Sequence, residues 1–242
     1  MNDRIAGHTA GKYPDSWYAA TAPLLPAFPS LRGEEVADVC VIGGGYTGFG
    51  AAIPLARAGL DVVILERDQI GSGASTRNGG ITSGNLRLSF DDLTKRFGAK
   101  KAIAFYQEAK AARADLVQFI TSEKIDCDLQ QCGRLVGALR PESLDSMKRD
   151  AERLTKLLDI DATVYDQTSL PDYIDTSRYC GGMMRDDIGG IHPAKLLAGM
   201  CQIARATSVK IVTQTKMTGV SQQSTSSPTL KFRVETSRGI IH

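Results

Sequence analysis

The sequence predicts an α/β protein built on a parallel βαβ unit near its N-terminus, with an α+β segment inserted further along. Two apolar runs and a cluster of glycines carry that reading. Ala37–Ile42 is a mostly apolar run that ends at glycines, as a strand buried on both faces does. Residues 43–58 then read as turn and helix, with Ala51, Ala52, Leu55 and Ala56 as a small, close-packing face and Gly59 as the stop. Asp61–Glu66 is a second buried strand, and strand, helix and strand within about thirty residues imply a right-handed crossover. Of the 24 glycines, 11 lie between Gly43 and Gly84, a density that means backbone in unusual conformations or pressed against something.

The remaining elements follow in order. Residues 1–36 carry four of the nine prolines (Pro14, Pro23, Pro26, Pro29) and no sustained periodicity, so they read as an irregular arm, with Trp17 and Tyr18 favouring its docking. Helices are expected over 90–97, 99–124, 141–158 and 193–206, the third with Pro141 at its first position. Residues 128–139 read as strand with a turn near Gly133, and 179–191 as a glycine-rich loop with short strands. A strand over 210–213 precedes paired strands at 218–222 and 229–235, around a Ser-rich turn from Gln222 to Pro228. The expected organisation is an arm (1–36), a nucleotide-binding domain (37–98 and 178–242) and a helical, substrate-facing segment (99–177).

Composition narrows the function. Lys plus Arg is 29 against 27 for Asp plus Glu, a net of +2, which argues against nucleic acid or an anionic membrane as the main partner. No apolar run approaches the ~18 residues of a membrane-spanning helix. Met1–His8 has no apolar stretch or cleavage signature, so no secretory signal is expected there. Five scattered cysteines and three histidines lack metal-ligand spacing, which predicts a reduced, cytoplasmic protein without a structural metal. Cys127 and Cys132 stand too far apart for a redox pair, and His192, just before Pro193, reads as a loop or capping residue.

Gly43-Gly44-Gly45-Tyr46-Thr47-Gly48 matches G-x-G-x-x-G in the context that gives the motif meaning. Gly43 allows the tight turn, Gly45 lets a pyrophosphate approach the backbone, and Gly48 lets helix and sheet close together. The helix N-terminus offers N–H groups to phosphate, and Glu66 would accept from the adenosine ribose while disfavouring a 2′-phosphate. Pro54, inside the helix, departs from the pattern and predicts a kink, well away from the phosphates. A second loop, Gly71 to Gly80, brings Ser75 and Arg77 as phosphate donors and Asn78, Gly79 and Gly80 beside a flat ring. A nicotinamide dinucleotide does not need that second loop; a larger cofactor does.

These two glycine loops resemble the D-amino-acid-oxidase-like (DAO) family of FAD-dependent oxidoreductases. The gamma-glutamylputrescine oxidoreductase group looks nearest, supported by Ser16-Trp17-Tyr18-Ala19-Ala20 and by Gly189-Gly190-Ile191-His192-Pro193. The resemblance implies extended FAD, with adenosine at Glu66 and Arg67, pyrophosphate at Gly44–Thr47 and isoalloxazine near Asn78–Gly80. It also makes the backbone of Met217 the candidate clasp on adenine.

The implied reaction is oxidation of the C–N bond of a small amine or amino acid, with a gamma-glutamylputrescine-like or N-methyl amino acid substrate and hydride transfer to flavin. No side chain is assigned as acid or base. The alternatives are an NAD-dependent dehydrogenase and a non-catalytic, truncated nucleotide-binding fragment. The resemblance further implies an N-terminal portion whose C-terminal part is missing. An unpaired sheet edge at residues 238–242, weak FAD affinity and little turnover by this chain alone are then expected.

Overall fold

A computed structural model describes residues 15–223 and 231–242. The first elements are α1 (Trp17–Thr21), β1 (Gly33–Glu35), β2 (Val39–Ile42), α2 (Tyr46–Arg57), β3 (Val62–Leu65) and β4 (Ile81–Thr82). Then come α3 (Phe90–Phe97), α4 (Ala99–Ser122), β5 (Arg134–Ala138), α5 (Pro141–Leu158), β6 (Ala162–Asp166), β7 (Gly181–Arg185) and β8 (Gly189–Gly190). The chain closes with α6 (Pro193–Ala206), β9 (Lys210–Val212), β10 (Met217–Gln223), β11 (Lys231–Thr236) and β12 (Gly239–Ile241). Two compact units result: one runs through Gly79 and adds Glu123–Cys127 and everything from His192, the other takes Gly80–Ser122 and Asp128–Ile191.

In the first unit β2, β3 and β9 form a parallel sheet in that order, Val39 opposite Val62 and Leu65 opposite Val212. All four residues of β3 are buried, as the central strand of a covered parallel sheet requires. α2 and α6 pack together, α2 burying Gly48, Phe49, Ala52 and Ile53. The second sheet has the order β1-β12-β11-β10, and Leu31, Val63, Leu65, Val212, Val234 and Ile241 make one core cluster. α2 continues through Pro54 to Arg57; Gly50, whose carbonyl loses its donor, is exposed, so water can satisfy it.

The second unit has an antiparallel sheet, β5-β7-β6, a short β4–β8 pair and three helices. Leu154, Leu158 and Ile160 are its buried cluster, with Phe90, Ile103, Tyr106, Ala162 and Met183 packed on it. Arg185 is 8 % exposed and forks onto Asp187, Nε to Oδ1 at 2.9 Å and Nη2 to Oδ2 at 2.7 Å, while Nη1 donates to Asn85 Oδ1.

Several local expectations need correction. The arm is not irregular throughout: Ser16 Oγ accepts from Ala19 N–H at 3.2 Å and starts α1, and β1 pairs in parallel with β12. Tyr18 docks, but Trp17 is 75 % exposed. β12 is not an unpaired edge, because β1 covers one side and β11 the other. β6 had no sequence reading, being too short for its alternation to stand out. Residues 1–14 of the arm and most of the Gln222–Pro228 turn lie outside the described residues.

Removing one partner of a buried, bidentate ion pair leaves the other charge unpaired, at a cost of about 3–5 kcal/mol. Arg185→Ala is therefore expected to lower the urea midpoint of the second unit by that equivalent. A loss below about 1 kcal/mol would show that the fork contributes little to stability.

Candidate cofactor site

The site is built where β2 ends and α2 begins. Gly43 turns with φ +103°, in the region that favours glycine, and its N–H donates to Leu65 O at 2.7 Å. At Gly48 a Cβ would stand 1.9 Å from Gly43 O, so only glycine lets α2 lie this close to the strand. Gly44 is confined less strictly: a Cβ there would meet Ile70 Cδ1 at 2.2 Å, the end of a side chain and not backbone.

Glu66 ties this turn to the end of β3. Its Oε2 accepts from Gly44 N–H and its Oε1 from Asp68 N–H, both at 2.9 Å. Each oxygen still has a lone pair for a further donor. The second glycine loop closes on the first through Ser75, whose Oγ accepts from Tyr46 N–H at 3.1 Å and lies 2.9 Å from where a Gly45 Cβ would be. Asn78 donates to the carbonyls of Ala74 and Ser75 and also hydrogen-bonds the Tyr46 phenol. Tyr46 O–H donates to Pro193 O at 2.7 Å, and burial pushes this phenol up to about 12, so it is a donor at neutral pH.

The structure thus brings together Gly43, Gly44, Gly45, Tyr46, Gly48, Glu66, Ser75 and Asn78; Thr47 is exposed on the first turn of α2. Arg67 pairs with Asp68 at 3.0 Å on the surface, and Arg77 turns back to donate to Ser72 O. Gly79 has open space around it, and Gly80, in the second unit, accepts from Ile191 N–H at 2.8 Å. Met217 opens β10 at a bulge and lines, with Cys40 and Ile42, a cavity of about 760 Å³ in the first unit. Sequence reasoning missed Ile70, the Tyr46 phenol and the 213–215 turn, where Thr215 N–H donates to Glu66 O at 3.0 Å. No spacing signals these, because each acts across the fold.

The residues fit a diphosphate. The N-cap of α2, Gly45, has no side-chain cap, and the first turn carries no acidic residue, so its positive end is not compensated from within the helix. The Ser75 O–H, with its oxygen already accepting, can donate to an anion at the same place.

The family model for FAD dependent oxidoreductases (DAO) matches residues 38–241. The chain belongs to the DAO family. Its family cofactor is FAD. Among relatives, gamma-glutamylputrescine oxidoreductase of Escherichia coli (strain K12) is 30 % identical over 200 residues, 83 % of this chain and 47 % of the relative. The probable oxidoreductase OrdL of Rhizobium meliloti is 32 % identical over 206 residues, again 83 % and 47 %. The chain spans about half the length of the curated relatives it matches. Glycine oxidase from Geobacillus kaustophilus shares the fold with a TM-score of 0.70 at 19 % identity, covering 85 % of this chain and 53 % of that one. L-proline dehydrogenase from P. horikoshii does so at 0.64 and 22 %, covering 88 % and 51 %. Among the described residues, no helix of this DAO-family chain is long and apolar enough to cross a membrane, and no acidic, Cys or His group could hold a metal.

The raised Tyr46 phenol has a consequence in alkali. Unfolded tyrosine ionises near pH 10, whereas Tyr46 in the folded chain holds its proton to about pH 12. Over that interval the folded state binds more protons at this phenol, so its contribution to stability is constant below pH 10 and is lost towards pH 12. Denaturant unfolding between pH 9 and 12 should show a shallower fall for Tyr46→Phe than for the parent chain. Equal slopes would mean the phenol is not sequestered.

Proposed function

We propose that this chain supplies the FAD-holding part of an oxidoreductase acting on amines or amino acids, with a gamma-glutamylputrescine-like or N-methyl amino acid as substrate. The observation that carries it is the closed pair of glycine loops: Gly44 N–H on Glu66 and Tyr46 N–H on Ser75, around a helix whose N-cap, Gly45, has no side chain to cap it. Family membership supports FAD as the dinucleotide, and the similarity to gamma-glutamylputrescine oxidoreductase supports an amine substrate.

In this reading the turn Gly44–Thr47, through the N–H groups that Glu66 and Ser75 do not already take, holds the pyrophosphate together with the Ser75 hydroxyl. Glu66 accepts the ribose hydroxyls with the lone pairs that Gly44 and Asp68 leave, and its charge repels a 2′-phosphate. Arg67 flanks the adenosine, and the backbone of Met217 clasps adenine. Arg77, once it releases Ser72 O, meets a phosphate oxygen, and Asn78, Gly79 and Gly80 lie towards the flavin ring. Bound FAD would supply a hydride acceptor for the substrate carbon that bears nitrogen. The imine product then takes up water to give an aldehyde or oxo acid plus ammonia or a smaller amine. The functional division is 37–98 and 178–242 for the nucleotide and 99–177 for the substrate, and five cysteines that form no disulfide suit a reducing cytoplasm.

Two substitutions test the cofactor assignment. Glu66→Ala removes a charged acceptor that would otherwise bind the ribose, worth about 1.5–3 kcal/mol, so the FAD Kd measured by calorimetry should rise about ten- to a hundredfold. Gly45→Val puts a side chain where the pyrophosphate and Ser75 meet and should abolish FAD binding. Unchanged affinity in either variant would show that the adenosine or the phosphate has been misplaced. Substrate class is tested by anaerobic bleaching of bound flavin with polyamine derivatives and N-methyl amino acids.

A further inference from the structure

We infer that residues 16–31 are a strap that positions both ends of the dinucleotide site, an inference resting on the assignment of Gly43–Gly48 and Glu66 to that site. The strap precedes residue 38, where the family match begins. Its N-terminal clamp is on His192. The Tyr18 ring meets the His192 ring edge-on, centroids 5.0 Å apart, and Thr21 Oγ1 lies 2.8 Å from His192 Nε2. Thr21 Oγ1 donates its own proton to Trp17 O, so it accepts from Nε2–H, while Nδ1 accepts from Lys195 N–H at 3.2 Å and caps α6. The next residue, Pro193, offers its carbonyl to Tyr46 O–H, and Tyr46 is the first residue of α2. Arm, His192, α6 and the phosphate-binding turn are therefore one run of direct contacts.

The C-terminal clamp reaches Glu66. Phe28 O accepts from Thr213 Oγ1 at 2.8 Å, Pro29 O from Thr213 N–H at 2.9 Å, and Leu31 N–H donates to Thr215 Oγ1 at 3.1 Å. Thr215 N–H in turn donates to Glu66 O, and Gln214 N–H to Asp68 O, each at 3.0 Å. Five residues are too few to hold a helix alone, and α1 buries none of its own, so it persists only through these contacts. A strap that orders Tyr46 and Glu66 before the ligand arrives removes part of the ordering cost of binding.

The test uses adenosine diphosphate, which carries the ribose and pyrophosphate without the flavin, and the single tryptophan, Trp17, labelled as 5-fluorotryptophan. Thr21→Val and Tyr18→Ala should each weaken ADP binding about three- to tenfold, with Thr21→Ser close to the parent chain. Linkage is reciprocal, so saturating ADP should also move the Trp17 fluorine resonance in the parent chain and not in Thr21→Val. Parent-like ADP affinity in Thr21→Val with an unmoved resonance would overturn the strap and leave the dinucleotide site standing. Weaker binding with an unmoved resonance would also overturn it, in favour of general loosening. A parent chain that does not bind ADP at millimolar concentration would remove the dinucleotide site and the strap together.

Discussion

α2 can begin where it does only because Gly48 has no side chain, since a Cβ would sit 1.9 Å from the carbonyl oxygen of Gly43 and 3.4 Å from Val41 Cγ1. That approach sets the first turn of the helix at the end of β2 and aims its N–H groups past the glycine turn. It also determines what α2 buries. With the helix pressed on the strand, Phe49, Ala52 and Ile53 reach the interior, while Gly50 and Pro54 fall on the wet side, where a missing backbone hydrogen bond costs little. A larger residue at 48 would displace helix, turn and core together.

Glu66 is the second fixed point. A carboxylate at the end of β3 would be a liability without donors, and Gly44, Asp68 and the backbone around Thr215 provide a setting for it. The same residue organises the glycine turn and keeps acceptor capacity on both oxygens. This structural duty is compatible with the proposed contact to ribose, because a carboxylate has about four acceptor positions and the fold uses two.

The arm and the closing hairpin show how elements of little intrinsic stability become ordered. β1 has three residues and β12 three, and neither would persist alone; each completes the other in a four-stranded sheet whose inner face covers Leu65 and Val212. α1 is similar, being held by Tyr18 and Thr21 on His192.

What the sequence alone determined is what local periodicity and backbone chemistry encode. The helices over 90–97, 141–158 and 193–206 stand where apolar spacing and the prolines at 141 and 193 put them, and the βαβ unit follows from two apolar runs around a glycine turn. The glycines and Glu66 were legible because a tight turn, a close approach and a carboxylate at a strand end each demand a residue type at a set spacing. Tertiary structure decided the rest. It paired β1 with β12 across about two hundred residues, used Ser75 to hold Tyr46, and set the capping His192 against the arm. None of these has a sequence period, because each is a contact between residues whose separation along the chain is set only by how the whole chain folds.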